Sequence, residues 1–304
     1  MAHTSNAPLP RALLVPAMAR PGRPFAVSAT RHEQRDATVL GALRLRYIDV
    51  RPDVERGPPL VLLHGIASRI EEYDDLVEAL RPSRRIVVMD LPGNGYSDKP
   101  ARAYTLRFLE DAILGLLDRL GLRSADLAGG SLGGNLTLRL GHREPGRFRR
   151  LASWGPAGTW EPKRLLASLV GLLRPVGGPL FWPTVWVQSR FWYHPRWAGR
   201  ASALAEAFAH FREIHAPGFV RMYFDLAREQ LLTSLFPIAP AIPQPALVVW
   251  GDGDHALGMG PGVRRLVELM PAARLSVVKG VGHAVANEAP AELCRRIEGF
   301  LAEK

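Results

Sequence analysis

Apolar residues come along this chain in short unbroken runs separated by amphipathic stretches. Leu60–Leu63, Ile86–Met89, Ala125–Ala128, Leu151–Trp154, Ala246–Trp250 and Leu275–Val278 lack polar alternation and are only four or five residues long. Runs of that kind predict strands buried on both faces. Between them, Leu106, Leu109, Ile113, Leu116, Leu117 and Leu120 recur at three and four residues, the spacing of a helix that packs by one face. A last helix is expected to open at Pro290, well suited to a first helical position, and to bury Leu293, Ile297, Phe300 and Leu301. From Thr38 onward the alternation predicts an α/β fold, a mostly parallel sheet with helices on both faces.

One segment breaks the pattern. No strand signal occurs between Gly155 and Gln244, where Pro, aromatic and helix-forming residues dominate and where, with Trp154 just before it, six of the seven Trp crowd together. We read residues 155–244 as a helical insertion after the sixth sheet strand, with 37–154 and 245–304 forming one core. Residues 1–36 hold five Pro and five Arg without periodicity and predict a disordered N-terminal arm. Its apolar stretch Ala12–Ala19 is short, late and interrupted by Pro16, so a cytoplasmic protein is expected rather than an exported one.

Composition narrows the class further. The 304 residues are 47% apolar and 22% charged, enough to bury a large core and too apolar for a disordered chain. No run reaches the roughly 18 apolar residues of an integral membrane segment. Cys294 is the only cysteine, which excludes internal disulfides and Cys-rich zinc sites and reads as an inert packed thiol. The net charge of +10 comes from 35 Arg and 4 Lys scattered along the chain, and no nucleic-acid-binding motif accompanies them.

The sharpest chemical signal is Gly129-Gly130-Ser131-Leu132-Gly133, a G-x-S-x-G sequence after a strand run and before the helical run LTLRL. A strand-to-helix turn that tight leaves no space for side chains beside the serine, and the following helix directs its N-terminal dipole and the Leu132 N–H toward a developing oxyanion. No Lys follows the glycines, so a phosphate loop is not indicated. A serine hydroxyl needs a base, and the base an orienting carboxylate. Trp250-Gly251-Asp252-Gly253-Asp254 and Gly282-His283 both end strand runs. Asp254 and His283 are the expected partners of Ser131, with Asp252 the alternative orienter.

With these residues on the page, the chain resembles the α/β-hydrolase superfamily, in the serine branch with a helical cap. The resemblance spans about residues 38–304 and rests on His64-Gly65, on Asp90-Leu91-Pro92-Gly93-Asn94-Gly95-Tyr96-Ser97, on the serine turn, on WGDGD, and on Gly282-His283 followed by Glu288 and Pro290. It implies an eight-stranded sheet, the N–H groups of Ile66 and Leu132 as the oxyanion hole, and structural roles for His64 and Asp90. Relatives that open epoxides or remove halogens carry Asp where this chain has Ser131. Carbon-carbon bond hydrolases usually have Trp where it has Ala284, and haloperoxidase relatives an aromatic residue where it has Ile66. The resemblance therefore implies hydrolysis of a carboxylic ester or thioester. Gly130 replaces a larger family residue and implies a roomier acyl side.

The cap histidines His194, His210 and His215 lack metal-ligand spacing, so neither a metal nor a cofactor is expected. Trp182, Trp186 and Trp192 are candidate substrate-lining residues, with core packing as the alternative. The reading is a serine esterase acting on a small or medium hydrophobic ester, with no nucleic-acid partner. Carbon-carbon bond hydrolysis, thioester hydrolysis and acyl transfer remain open on the same triad, as does a small-molecule receptor on the same fold.

Overall fold

The computed structural model describes residues 29–303 apart from 53, 56, 174–176 and 256–258. Most of the N-terminal arm thus lies outside the described residues. The part that is described corrects its boundary: Thr30 and Arg31 bond to Asp74, and the first strand already begins at Gln34.

Eight strands form one sheet: β1 (Gln34–Val39), β2 (Leu43–Val50), β3 (Leu60–Leu63), β4 (Ile86–Met89), β5 (Ala125–Gly130), β6 (Phe148–Trp154), β7 (Ala246–Gly251) and β8 (Ala273–Val278). Their order is β1-β2-β4-β3-β5-β6-β7-β8, antiparallel at β1/β2 and β2/β4 and parallel elsewhere. The six apolar runs are all strands. In β3, Val61 and Leu63 enter one core layer while Leu60 and Leu62 enter the other, the alternation a pleated strand imposes.

The first layer is closed by α2 (Leu106–Arg119) and α3 (Leu132–Arg143), and the second by α1 (Asp74–Leu80) and α10 (Pro290–Leu301). The periodic leucines of α2 are buried as the spacing requires, and Thr105 caps it by accepting the Phe108 N–H at 3.1 Å. Pro290 stands in the first turn of α10. The short α9 (Val285–Glu288) and α8 (Met259–Leu269) complete the core.

Between β6 and β7 the described residues are helical: α4 (Arg164–Leu173), α5 (Gly177–Gln188), α6 (Arg200–Ile214) and α7 (Pro217–Leu232). Strand order reverses between β3 and β5, so the loops after these two strands diverge and leave a crevice at the carboxyl edge of the sheet. Leu63 pairs with Gly129, and Gly130 with Trp154, which brings three chain segments to that edge together.

Candidate active site

Ser131 joins β5 to α3 with φ 55° and ψ −115°, a left-handed conformation that costs a residue bearing a Cβ on the order of 1–3 kcal/mol. The surroundings hold it there. Its N–H donates to the Trp154 carbonyl at 2.9 Å, and its carbonyl accepts from Asn135 N–H at 3.0 Å and Ala157 N–H at 3.1 Å. A Cβ at Gly133 would overlap the Leu63 carbonyl, so only glycine lets α3 begin this close to β3.

His283 and Asp254 come from the loops after β8 and β7. His283 Nδ1 lies 2.8 Å from Asp254 Oδ2, so Nδ1 carries the proton and Nε2 is left basic. Burial pulls the imidazole down, but the Asp254 charge and hydrogen bond, helped by Glu288, outweigh it and hold the His283 pKa above the ordinary histidine value. The alternative orienter, Asp252, is exposed and accepts the Gly280 N–H at 2.6 Å. The pair packs against Gly155, where a Cβ would lie 3.1 Å from His283 Nδ1; the neighbouring Trp154 carbonyl holds Ser131. Ser131 and His283 thereby face one cavity.

That cavity has a volume of about 120 Å3. Ile66 lines it, and on either side Ala67 N–H donates to Asn94 Oδ1 at 2.7 Å and Gly65 carbonyl accepts from Ser68 N–H, while the Ile66 N–H has no protein acceptor among the described residues. Leu132 opens α3, where an N–H has no acceptor within its own helix. His64 is fully buried. It accepts the Leu91 N–H on Nε2 at 3.0 Å, which leaves the proton on Nδ1 for the Gly65 carbonyl at 2.7 Å. Asp90 accepts from Ile70 N–H, Tyr96 N–H and Arg46. Both residues are fully committed to shaping the loops around Ile66.

The four candidate lining positions divide. Gly130 and Trp192 line the cavity, whereas Trp182 and Trp186 do not. Trp182 is stacked between Phe208 and His215 in the cap core, and Trp186 is exposed with Arg190 3.7 Å over its ring. Gly130 also fails to provide the expected room. A Cβ there would overlap the indole of Trp154, which itself lines the cavity and occupies the space that the missing side chain leaves.

Three polar residues on the cavity wall escaped sequence reasoning: Ser68, Glu72 and Asn287. Burial pushes the Glu72 carboxyl up to about 7, against the pull of the neighbouring Ser68 hydroxyl and the Arg69 cation. The Ser68 hydroxyl is buried beside that carboxyl. Glu72 lies in the acidic run IEEYDD, whose carboxylates look like ordinary helix-start residues, so nothing in the pattern marks it out. A second cavity of about 470 Å3 shares Glu72, Tyr193, Ala207, Phe211, Ala286 and Asn287 with the first. There Arg69 bridges core to cap, bonding Glu206 at 2.6 Å and His210 at 3.3 Å. Burial and the Arg69 charge push His210 down to about 3, so it is neutral. The cap is also tied to the histidine loop: Ala284 N–H donates to the Trp192 carbonyl and His194 N–H to Glu288, both at 3.0 Å.

A family model described as alpha/beta hydrolase fold matches residues 58–290. The chain belongs to this family. Among curated proteins, the hydrolase is 28% identical over 274 residues to 2-hydroxymuconate semialdehyde hydrolase of Pseudomonas putida, covering 83% of this chain and 89% of that protein. Among solved structures it is similar to an enol-lactonase from Burkholderia xenovorans (TM-score 0.75, 24% identity, 88% and 100% covered). It is also similar to a thermophilic esterase from Thermogutta terrifontis (TM-score 0.74, 20% identity, 88% and 98% covered). At these identities the structural likenesses speak for the fold, and the substrate of this hydrolase has to be argued from its own site.

Proposed function

We propose that this hydrolase is a serine esterase for neutral carboxylic esters with a short apolar acyl group. The observation that carries this reading is the lining of the Ser131 cavity, where Ile66, Ala67, Trp154, Trp192 and Phe211 surround the serine and no Lys or Arg is present among the described residues. Its 120 Å3 is close to the roughly 150 Å3 that holds a benzene ring, which suits a short acyl chain. The larger adjoining cavity then takes the alcohol portion.

In this mechanism Ser131 Oγ attacks the ester carbonyl as His283 Nε2 takes its proton. Asp254 holds the imidazole in place and stabilises the imidazolium. The N–H groups of Ile66 and Leu132 donate hydrogen bonds to the carbonyl oxygen as it takes on negative charge, each donor contributing on the order of 10²–10³ in rate. His283 returns the proton to the departing alcohol. Water, activated by the same base, then releases the acid and frees Ser131.

The 2-hydroxymuconate semialdehyde hydrolase relative favours a second reading, carbon-carbon bond cleavage of an anionic ring-opening product. Two features of the cavity weigh against it. The cavity lining includes Glu72 and, among the described residues, no Lys or Arg to receive an anionic group, and Ala284 follows His283. The deciding experiment is a panel of neutral esters, thioesters and a ring-cleavage product assayed on wild type, Ser131→Ala and His283→Ala. We expect the neutral esters to give the highest kcat/KM and each substitution to lower it by about 10⁴ or more, the double variant being little worse. A preference for the ring-cleavage product, or a Ser131→Ala variant retaining a tenth of wild-type activity, would refute the proposal.

A further inference from the structure

Helix α4 is built against the usual rule for a helix on a soluble domain, which turns its apolar stripe inward. Here Ala167 is buried, while Leu165, Leu166, Leu169 and Leu172 are 79%, 40%, 51% and 73% exposed. Trp186 and Val187 on α5 and Phe191 in the turn that follows are exposed as well. Of the ten large apolar side chains exposed among the described residues, seven fall between Leu165 and Phe191. Scattered exposed leucines need no explanation, but this concentration in one inserted segment marks an interaction surface.

Charge identifies what the surface meets. From Pro162 to Ala205 the chain carries Lys163, Arg164, Arg174, Arg190, Arg196 and Arg200, with no Asp or Glu. A second copy seated on this face would set one all-cationic segment against another, a repulsive pairing. A bilayer with anionic headgroups accepts both features, since apolar side chains enter the boundary with the acyl chains while Arg and Lys meet phosphates. Arg190 over the Trp186 ring is a pair of this kind, an aromatic body with a cation beside it. We infer that the α4–α5 face of the cap docks the protein on an anionic lipid surface, with Leu165, Leu169, Leu172 and Phe191 entering the headgroup boundary. The contact is peripheral: among the described residues no helix is long and apolar enough to cross a membrane. It stands apart from the ester reading, because none of these residues lines the Ser131 cavity.

Flotation of the full-length protein with phosphatidylcholine vesicles, with and without phosphatidylglycerol, tests the inference. Binding is expected to vesicles containing phosphatidylglycerol, to weaken with added salt, and to be far lower on pure phosphatidylcholine. The combined Leu165→Ser, Leu169→Ser and Leu172→Ser variant should lose on the order of tenfold or more in partitioning. Arg164→Glu with Arg190→Glu should lose about fivefold or more per position and guards against a leucine variant that fails to fold. Hydrolysis of a water-soluble ester should be unchanged in both. Absence of binding to the anionic vesicles would overturn the inference, and so would binding that survives both sets of substitutions. A concentration-dependent dimer that the leucine variant dissolves, without vesicle binding, would reassign the face to self-association and overturn it equally.

Discussion

Replacing Glu72 by Gln tests the electrostatics of the cavity wall through stability as well as specificity. In the folded chain burial holds this carboxyl at about 7, whereas its ordinary value is 4.5. The unfolded chain therefore releases the proton first, and between those two values the folded protein binds more protons than the unfolded one. Wild type must lose stability as pH rises through that window, and the loss is complete above about pH 7. At about 1.36 kcal/mol for each pH unit the ceiling is about 3 kcal/mol, and water at the cavity mouth screens part of it, leaving about 1–3 kcal/mol. Glu72→Gln cannot ionise and escapes this loss. Urea unfolding at a series of pH values should give coincident stabilities near about pH 4.5 and a variant more stable by about 1–3 kcal/mol near about pH 8. The same substitution should raise the ratio of kcat/KM for a carboxylate-bearing ester to that for its neutral isostere above about pH 7. The ratio removes the His283 titration, which both substrates share. Arg69, Glu71 and Glu206 also act on Glu72 and are unaltered in the comparison. Parallel stability curves together with an unchanged ratio would show that Glu72 is already ionised and solvated, and the reasoning about the wall would fail.

Because Asp254 holds the His283 pKa above the ordinary 6.5, kcat/KM for a neutral ester should rise with pH through one ionisation above that value; a rate flat from about pH 5 to 9 with chemistry limiting would remove His283 as the base. Trp192→Ala should move the acyl-chain optimum to longer esters, since each added methylene contributes about 0.8 kcal/mol where a wall has receded. Trp186→Ala should leave that profile in place, and Trp182→Ala should leave it in place while lowering stability by about 2 kcal/mol, measured by chemical denaturation. Gly130→Ala must displace the Trp154 indole beside Ser131 and is expected to cost on the order of 10² in kcat, a loss that steady-state kinetics reads directly.

How far the sequence carried differs by the range of the interactions. Five of the six apolar runs were legible because they are buried on both faces and need no context, and α2 because its leucines obey a helical period. The sixth, Leu275–Val278, is a strand as expected but lies at the sheet edge in β8, where Val277 is exposed and the expected burial on both faces fails. The serine turn, Asp254 and His283 announced themselves at strand ends, where this class of sheet places its chemistry. The cap wall was another matter. Trp182, Trp186 and Trp192 share one composition, and only the packing of α5 and α6 decides that one is stacked in the cap core, one faces solvent and one faces the serine. Gly130 misled for the same reason, since the residue that fills its space, Trp154, is 24 positions away in the chain and adjacent only through the β5/β6 pairing. Glu72 was invisible because burial, and not identity, raises a carboxyl.

The two bonds that join Trp192 and His194 to the histidine loop make the cap a part of the support of His283. A cap that swung open along this edge would release Ala284 and Glu288 and with them the frame that aims His283 at the serine. The larger cavity adjoins this same edge through Tyr193, Ala286 and Asn287 and is bounded on its far wall by Glu72 and the Arg69–Glu206 bridge, an ion pair between long side chains that spans core and cap. On the esterase reading, an ester held across the two cavities sets its alcohol portion against these charged side chains while its carbonyl lies at Ser131.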